Sequence, residues 1–484
     1  MAQIDHTGKS ETTSRVLKTL GIFGGVQVAT ILCSVIRTKL AALWIGPAGV
    51  GLLALYNSTI ELLNQTSQLS MNQSAVRDLS ASRDDSATGP RIVGAFRTIL
   101  KAMGLIGFAV VLLTSPLISL WVFGDTTHTV AFCLLAIIPV FSSIINTEST
   151  IMRGYDRLRP LAKTSLYSSV ALVVSAVPLF YFFRLRAVVP VIILGYAFNS
   201  LFSIHFRQRD IAAAKETLAQ AWKLCRPMMS LGAFLTLSTF VSLLASNIFV
   251  VYLNRSYSGD AVGFYQAGYT LLNTYVGLIL TAMSTEFYPR LSALKSNLRM
   301  EVAMSHEIKI ILWILLPLLI GFICCSELCV NILYSSKFSE AIPFIVFGAP
   351  GVVMRAVATC ICFSILAKGS GKLYIFTETF SALMYLAFYI PLYRHFGYTG
   401  LGIAYTLWYA AYLAAVYLIY RYRFGMKLHR GIPTLILCTI TTSILAVAGY
   451  CTIGPAWTLI LLLPAASWGT FHNLKYKSCK NCKK

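Results

Sequence analysis

About fourteen apolar stretches, each near twenty residues long, follow one another from Val16 to Phe471 with short polar connections between them. Because about 20 apolar residues in a helix span the hydrocarbon core, the pattern predicts an all-α, polytopic membrane protein. The predicted spans are 16–44, 48–74, 98–123, 129–152, 161–183, 187–206, 227–253, 261–287, 308–334, 341–367, 373–393, 397–420, 431–452 and 454–472. Met1 to Arg15 is polar, with neither a short apolar core nor a small-residue cleavage site. Insertion through the first span is therefore expected instead of a removable signal peptide.

Composition narrows this further. Of 484 residues, 57% are hydrophobic and 12% charged, which leaves no room for a sizeable soluble domain. A net charge of +22 would point to nucleic acid in a soluble chain; here position decides. Counted on alternate sides of the spans, 32 Lys and Arg fall on the side of the two termini. Five fall on the other (Arg184, Arg186, Arg255, Lys337 and Arg394), and three, Arg37, Lys39 and Arg355, lie deep within spans, with Lys18, Lys101, Lys163 and Lys309 in the first turn of theirs counted with the adjoining loops. By the positive-inside rule both termini are expected in the cytoplasm. Basic loops facing an anionic leaflet account for the charge without a nucleic-acid partner. The twelve Cys are scattered, and Cys479 and Cys482 form a lone CxxC in a solvated basic tail. No disulfide framework, metal or cofactor is expected.

The chain repeats itself. A shift of 212 places Gly51, Met71, Leu79, Ser80 and Ala81 on Gly263, Met283, Leu291, Ser292 and Ala293. A shift of 215 places Arg153, Gly154, Arg157 and Leu158 on Lys368, Gly369, Lys372 and Leu373. Six helices form one unit, so the copies share an orientation and are parallel repeats. The expected organisation is an N-terminal lobe at 1–206, a cytoplasmic linker at 207–226, a C-terminal lobe at 227–424, an extra helical pair at 425–474 and a basic tail at 475–484. The middle of the linker, IAAAKETLAQAWKL, reads either as an amphipathic helix on the membrane surface or as a plain connection.

Polar groups at depth need a reason, since a basic side chain near the bilayer centre costs about 2.5–3.5 kcal/mol on insertion scales. Arg37 and Lys39 either snorkel to the external headgroups or hold an anion in an aqueous cavity. Arg355, in FGAPGVVMRAVATC, is too central to snorkel, and Gly348, Pro350 and Gly351 beside it predict a bent helix. The second span carries Asn57, Glu61, Asn64, Gln65, Gln68 and Asn72, whose spacing keeps them on one helical face. Amides donate and accept at once, which suits sugar hydroxyls; interhelical packing is the alternative. The corresponding second-half face is thinner, with Asn273, Thr274 and Ser284, and Ser238, Ser242, Ser246 and Asn247 form a small polar stripe. Among the intramembrane acids, Glu61, Glu148 and Glu378 are candidates to bind a coupling ion, or to pair with an arginine.

The stretch VIRTKLAALWIGPAGVGLLALYNS, Val35 to Ser58, places a basic residue late in helix one, then a Gly-Pro-Ala-Gly turn, then helix two. With the span count and the basic loops, it resembles the multidrug/oligosaccharidyl-lipid/polysaccharide (MOP) exporter superfamily, and within it the O-antigen (Wzx-type) flippases. The resemblance implies a MATE-like fold of about 14 helices, in two pseudo-symmetric six-helix lobes plus two, opening alternately to each side. It implies transport of an undecaprenyl-pyrophosphate-linked glycan from the cytoplasmic to the periplasmic leaflet of the inner membrane. Coupling to a proton or sodium ion and cooperation with polysaccharide polymerase machinery come with it. A pyrophosphate wants Arg or Lys, a role that falls on Arg37, Lys39 and Arg355; the glycan wants the amide stripe. The chain departs from the family in lacking a deep cation between Arg226 and Arg255 and along helix eight up to Arg290.

Two other classes compete. A drug exporter of the same fold needs acidic or aromatic cavities for organic cations, and the deep bases here weigh against it. A membrane polymerase or ligase needs a long external loop with catalytic groups. The external loops are short, and no HExxH, GxSxG or phosphate-cradling Gly loop occurs. The missing P-loop excludes an ATP-driven pump within the single chain.

Overall fold

The structure, a computed structural model, describes residues 6–455 apart from 69–70, 84, 86–87, 208–210, 212, 276, 278–279, 281–286, 288–289, 293, 295, 369–370 and 430. Side chains are described from Gly25 onward at most of these positions. Every described element is helical, the all-α class the apolar pattern predicts. Nine helical segments among the described residues are long and apolar enough to cross a membrane. Three of them, Gly25–Gln68, Leu158–His205 and Leu373–Arg423, run for 44, 48 and 51 residues. At 1.5 Å per residue these exceed about 65 Å, twice a hydrocarbon core of about 30 Å, so each crosses twice. Each breaks near its middle at a residue with positive φ: Gly46 (65°), Arg184 (47°) and Gly397 (58°). The thirteenth predicted span is seen at Ile432–Thr452, whereas all but the first two residues of the fourteenth lie outside the described residues.

By its contacts the chain divides into two compact units, Met1–Leu243 with Val250–Gly259, and Leu244–Phe249 with Asp260–Lys484. The first unit holds α1 (His6–Gln68), α2 (Met71–Ala81), α3 (Gly89–Phe123), α4 (Thr129–Leu135), α5 (Ile138–Gly154), α6 (Leu158–Phe183), α7 (Val188–His205) and most of α8 (Leu218–Ser256). Gly46 supplies the φ that other residues resist, and Pro47 after it suits the first turn of the second arm. In a bilayer, apolar side chains gain little by leaving lipid for one another, so small residues set how closely helices approach. A Cβ on Gly104 would lie 2.4 Å from Ser143 Oγ, and one on Gly107 2.8 Å from Ser67 Oγ. These two glycines of α3 thus seat α5 and α1 beside each other, next to Gln68 and Ser142.

The two motifs that expose the internal repeat pack together in the first unit. A Cβ on Gly154 would fall 2.6 Å from Leu79 Cβ, and Leu79 is fully buried, as is its counterpart Leu291. The turns between the fifth and sixth helices of the two halves also match. Arg184 (φ 47°, ψ −122°) and Gly397 (φ 58°, ψ −136°) stand 213 residues apart with the same backbone twist.

The linker is neither a surface helix along its length nor a plain connection. Residues 213–217 are irregular, and the helix starts only at Leu218, where Thr217 and Gln220 form a capping box. Before it, the Ala214 amide donates to the Pro90 carbonyl at 2.9 Å and Glu216 pairs with Arg91 at 2.8 Å. Ile211, Ala221 and Cys225 are buried in one cluster with Met71, Leu79, Val93 and Phe96. Tertiary burial overrides the helix propensity of the alanine run.

The second unit contains α9 (Gly259–Thr270, whose Gly259 belongs to the first), α10 (Asn297–Cys324), α11 (Ser326–Leu333), α12 (Ile342–Ala367), α13 (Gly371–Leu418) and α14 (Ile432–Thr452). A π-helical turn, Leu271–Tyr275, follows α9. Around Pro350 α12 keeps helical φ/ψ and runs unbroken. Its glycines admit α13: a Cβ on Gly351 would meet Tyr405 Cδ1 at 2.6 Å, and the Thr406 hydroxyl donates to the Phe347 carbonyl at 2.9 Å.

Candidate functional site

The amide stripe, on the second arm of α1 and the first turn of α2, lines a cavity of about 380 Å³ within the first unit. All six predicted residues, Asn57, Glu61, Asn64, Gln65, Gln68 and Asn72, face it, joined by Ser142 and Asn146 of α5 and Tyr196 of α7. Asn57 and Glu61 are exposed; Asn64 and Gln68 are buried at 8% and 4% exposure. The Gln68 amide donates to Ser142 Oγ at 3.0 Å and accepts from the Asn146 amide, which ties α1 to α5. Asn64 Oδ1 and Asn72 Oδ1 are buried with no hydrogen-bond partner among the described residues. Such acceptors cost about 1–3 kcal/mol each when left unmade, so the cavity is built to receive donors.

Ser142 and Asn146 went unpredicted although the run FSSIINTEST carried a signal: the two stand four apart, one helical turn, on the same face. Tyr196 shares one face of an otherwise apolar helix with Asn199, Ser200 and Ser203, three, four and seven positions on, a weaker signal of the same kind.

Arg355 lies in the second unit. Its Nη1 donates to Asn273 Oδ1 at 2.8 Å, and the Tyr405 hydroxyl donates to the same oxygen at 3.3 Å. The guanidinium stands over the Tyr409 ring, 5.9 Å from its centroid. Asn273 sits in the π-helical turn, and Tyr405 and Tyr409 come from the α13 face that Gly351 admits one turn before Arg355. Among the described residues none of its partners is a carboxylate, so a cation is held at depth by neutral groups.

The other candidates stand elsewhere. Arg37 and Lys39 are half-buried on the first arm of α1 and are not among the residues lining the amide cavity. Glu148, 7% exposed, accepts two hydrogen bonds from Arg97, at 3.0 and 2.9 Å, and faces Arg207 at 3.9 Å. Glu378 accepts from the Tyr412 hydroxyl at 3.0 Å. Between α3 and α4, Tyr56 of α1 bonds His128 Nδ1 at 2.7 Å, and the imidazole stacks on Phe123. Burial pushes the His128 pKa down, while hydrogen bonds from Thr127 hold the Asp125 carboxyl below its usual range.

The sequence profile of the family described as polysaccharide biosynthesis protein matches residues 40–343. The lipid III flippases of Escherichia coli (strain K12) and Shigella flexneri are each 23% identical over 401 residues, covering 80% of this chain and 94% of theirs. Among solved structures, the lipid II flippase MurJ in an inward closed conformation superposes with a TM-score of 0.67 at 14% identity, over 94% of this chain and 99% of that one. An inward-facing MATE family multidrug resistance transporter of the MOP superfamily gives 0.65 at 16% identity, over 84% and 95%. The MATE-like fold implied by the Val35–Ser58 resemblance is the observed one.

Proposed function

The chain belongs to the polysaccharide biosynthesis protein family, and on that footing we propose that it is a flippase for an undecaprenyl-pyrophosphate-linked oligosaccharide. In this reading it carries an O-antigen or related repeat unit from the cytoplasmic to the periplasmic leaflet of a bacterial inner membrane, by alternating access with both termini cytoplasmic. The observation that carries the reading is the amide cavity with its two partnerless buried acceptors. A polyhydroxylated guest supplies the missing donors and finds acceptors for its own hydroxyls, whose burial without partners is costly. In the second unit, Arg355 offers a guanidinium whose partners among the described residues are all neutral, matched to phosphate oxygens. Arg37 and Lys39 are the further candidates for that charge. Proton or sodium coupling falls first on Glu61, which makes no ion pair among the described residues, before Glu378 and the neutralised Glu148. The delivered unit passes to polysaccharide polymerase machinery.

A second reading, a cation-coupled drug exporter, draws on the carboxylate of Glu61 at the cavity. The six amides of that cavity favour a sugar.

Deletion of the gene, with analysis of surface polysaccharide and lipid-linked intermediates, tests the proposal. The expected result is loss of surface glycan, with complete repeat units held in the cytoplasmic leaflet. Repeat units that reach the periplasm but stay unpolymerised would refute it in favour of an enzyme, and unchanged glycan with raised drug sensitivity in favour of an exporter.

A further inference from the structure

The amide cavity is specific about charge. Among the described residues lining it, Glu61 carries the only full charge, and no Lys or Arg balances it. Glu61 is exposed, one turn from Asn57 and one from the buried Asn64, so a guest seated on the amides stands beside the carboxylate. The deeper chemistry has the same preference. Asn64 Oδ1 and Asn72 Oδ1 need donors, and hydroxyls or acetamido N–H groups are donors, whereas ionised carboxylates and phosphates only accept. Size sets the third condition. A pyranose takes the room of about five waters, near 150 Å³ at ~30 Å³ each, so about 380 Å³ holds one or two.

Resting on the flippase reading, we infer that this cavity receives the uncharged or amino-sugar residues of the glycan, one or two at a time. Glu61 is the specificity-determining residue that turns away uronic and phosphorylated sugars. The same charge keeps the carrier's pyrophosphate out of this cavity.

The test compares two probes with one skeleton, trigalacturonate and its methyl ester, titrated calorimetrically into the full-length protein in detergent micelles. The ester is expected to bind about tenfold more tightly, the factor a single like charge a few ångströms away produces in a partly wet site. In Glu61→Gln the ratio falls towards one, and in Glu61→Lys it inverts. A ratio near one in the natural protein overturns the inference without any variant, as does a ratio that survives Glu61→Gln. Failure of both probes to bind overturns the cavity as a sugar site. The flippase proposal stands or falls separately, on the intermediates that accumulate in the deletion strain.

Discussion

Glu148 and Arg97 make the sharpest energetic case in the molecule. Their side chains are 7% and 15% exposed and share two hydrogen bonds. Removing one partner of a buried pair strands the other charge, at about 3–5 kcal/mol, whereas replacing both by apolar groups is close to neutral. Glu148→Leu leaves Arg97 and Arg207 facing each other and belongs at the top of that range. Arg97→Leu leaves Glu148 with Arg207, at 3.9 Å and 40% exposed, and belongs near its lower end, about 3 kcal/mol. The double variant is expected to lose only about 1 kcal/mol, a coupling well beyond the ~0.5 kcal/mol scatter of independent sites. Unfolding of the purified protein by SDS titration in micelles measures all four corners of the cycle. Additive single effects would refute the argument. A Glu148→Leu protein of natural stability that transports nothing would refute it too, and would assign Glu148 to ion coupling.

Arg184 and Gly397 share a backbone conformation that a side chain resists, at about 1–3 kcal/mol. Nothing lies within 4 Å of where a Cβ on Gly397 would be, so Gly397→Ala is expected to lose stability of that order through the backbone alone, and Arg184→Gly to gain; a stabilised Gly397→Ala or a destabilised Arg184→Gly in the same SDS titration would disprove the match. His128, its pKa lowered by burial, binds its proton more readily when unfolded. Its contribution is therefore complete above the unfolded value near pH 6.5 and lost as pH falls through the folded value; thermal midpoints between pH 7 and 5 should fall more steeply in the natural protein than in His128→Gln, and parallel curves would refute this. Arg355→Ala is expected to abolish surface glycan while the protein still inserts, with Arg355→Lys intermediate because it keeps the charge and loses the planar fork; normal glycan in Arg355→Ala would remove it from the site.

The sequence carried the amide stripe because a helix repeats every 3.6 residues, so spacing alone puts six side chains on one face. It carried the helical class and the paired spans because the bilayer fixes their length. Partners distant along the chain were not legible. Arg97 stands one residue before a predicted span and reads as a loop cation, yet it meets Glu148 from 51 positions away. Tyr405 and Tyr409 are two of 25 tyrosines, and only the packing at Gly351 selects them as companions of Arg355. The linker misled for a physical reason: its alanines favour a helix in isolation, but burial of Ile211 and the hydrogen bond of Ala214 to Pro90 hold it irregular.

The first unit's buried cluster around Met71 and Phe96 is finished by residues made after its last complete helix. Met71, Val93 and Phe96 are synthesised early, but Ile211, Ala221 and Cys225, which cover them, follow His205 by up to 20 positions. At about 5–20 residues per second on the ribosome, that face stays open for one to a few seconds, and during this interval a nascent chain depends on chaperones or the translocon. Once Cys225 has emerged the face is closed, long before α12 is made. Two co-expressed half-proteins should therefore assemble when the break lies beyond Cys225, and a break at 207 should leave the first half open to aggregation and proteolysis.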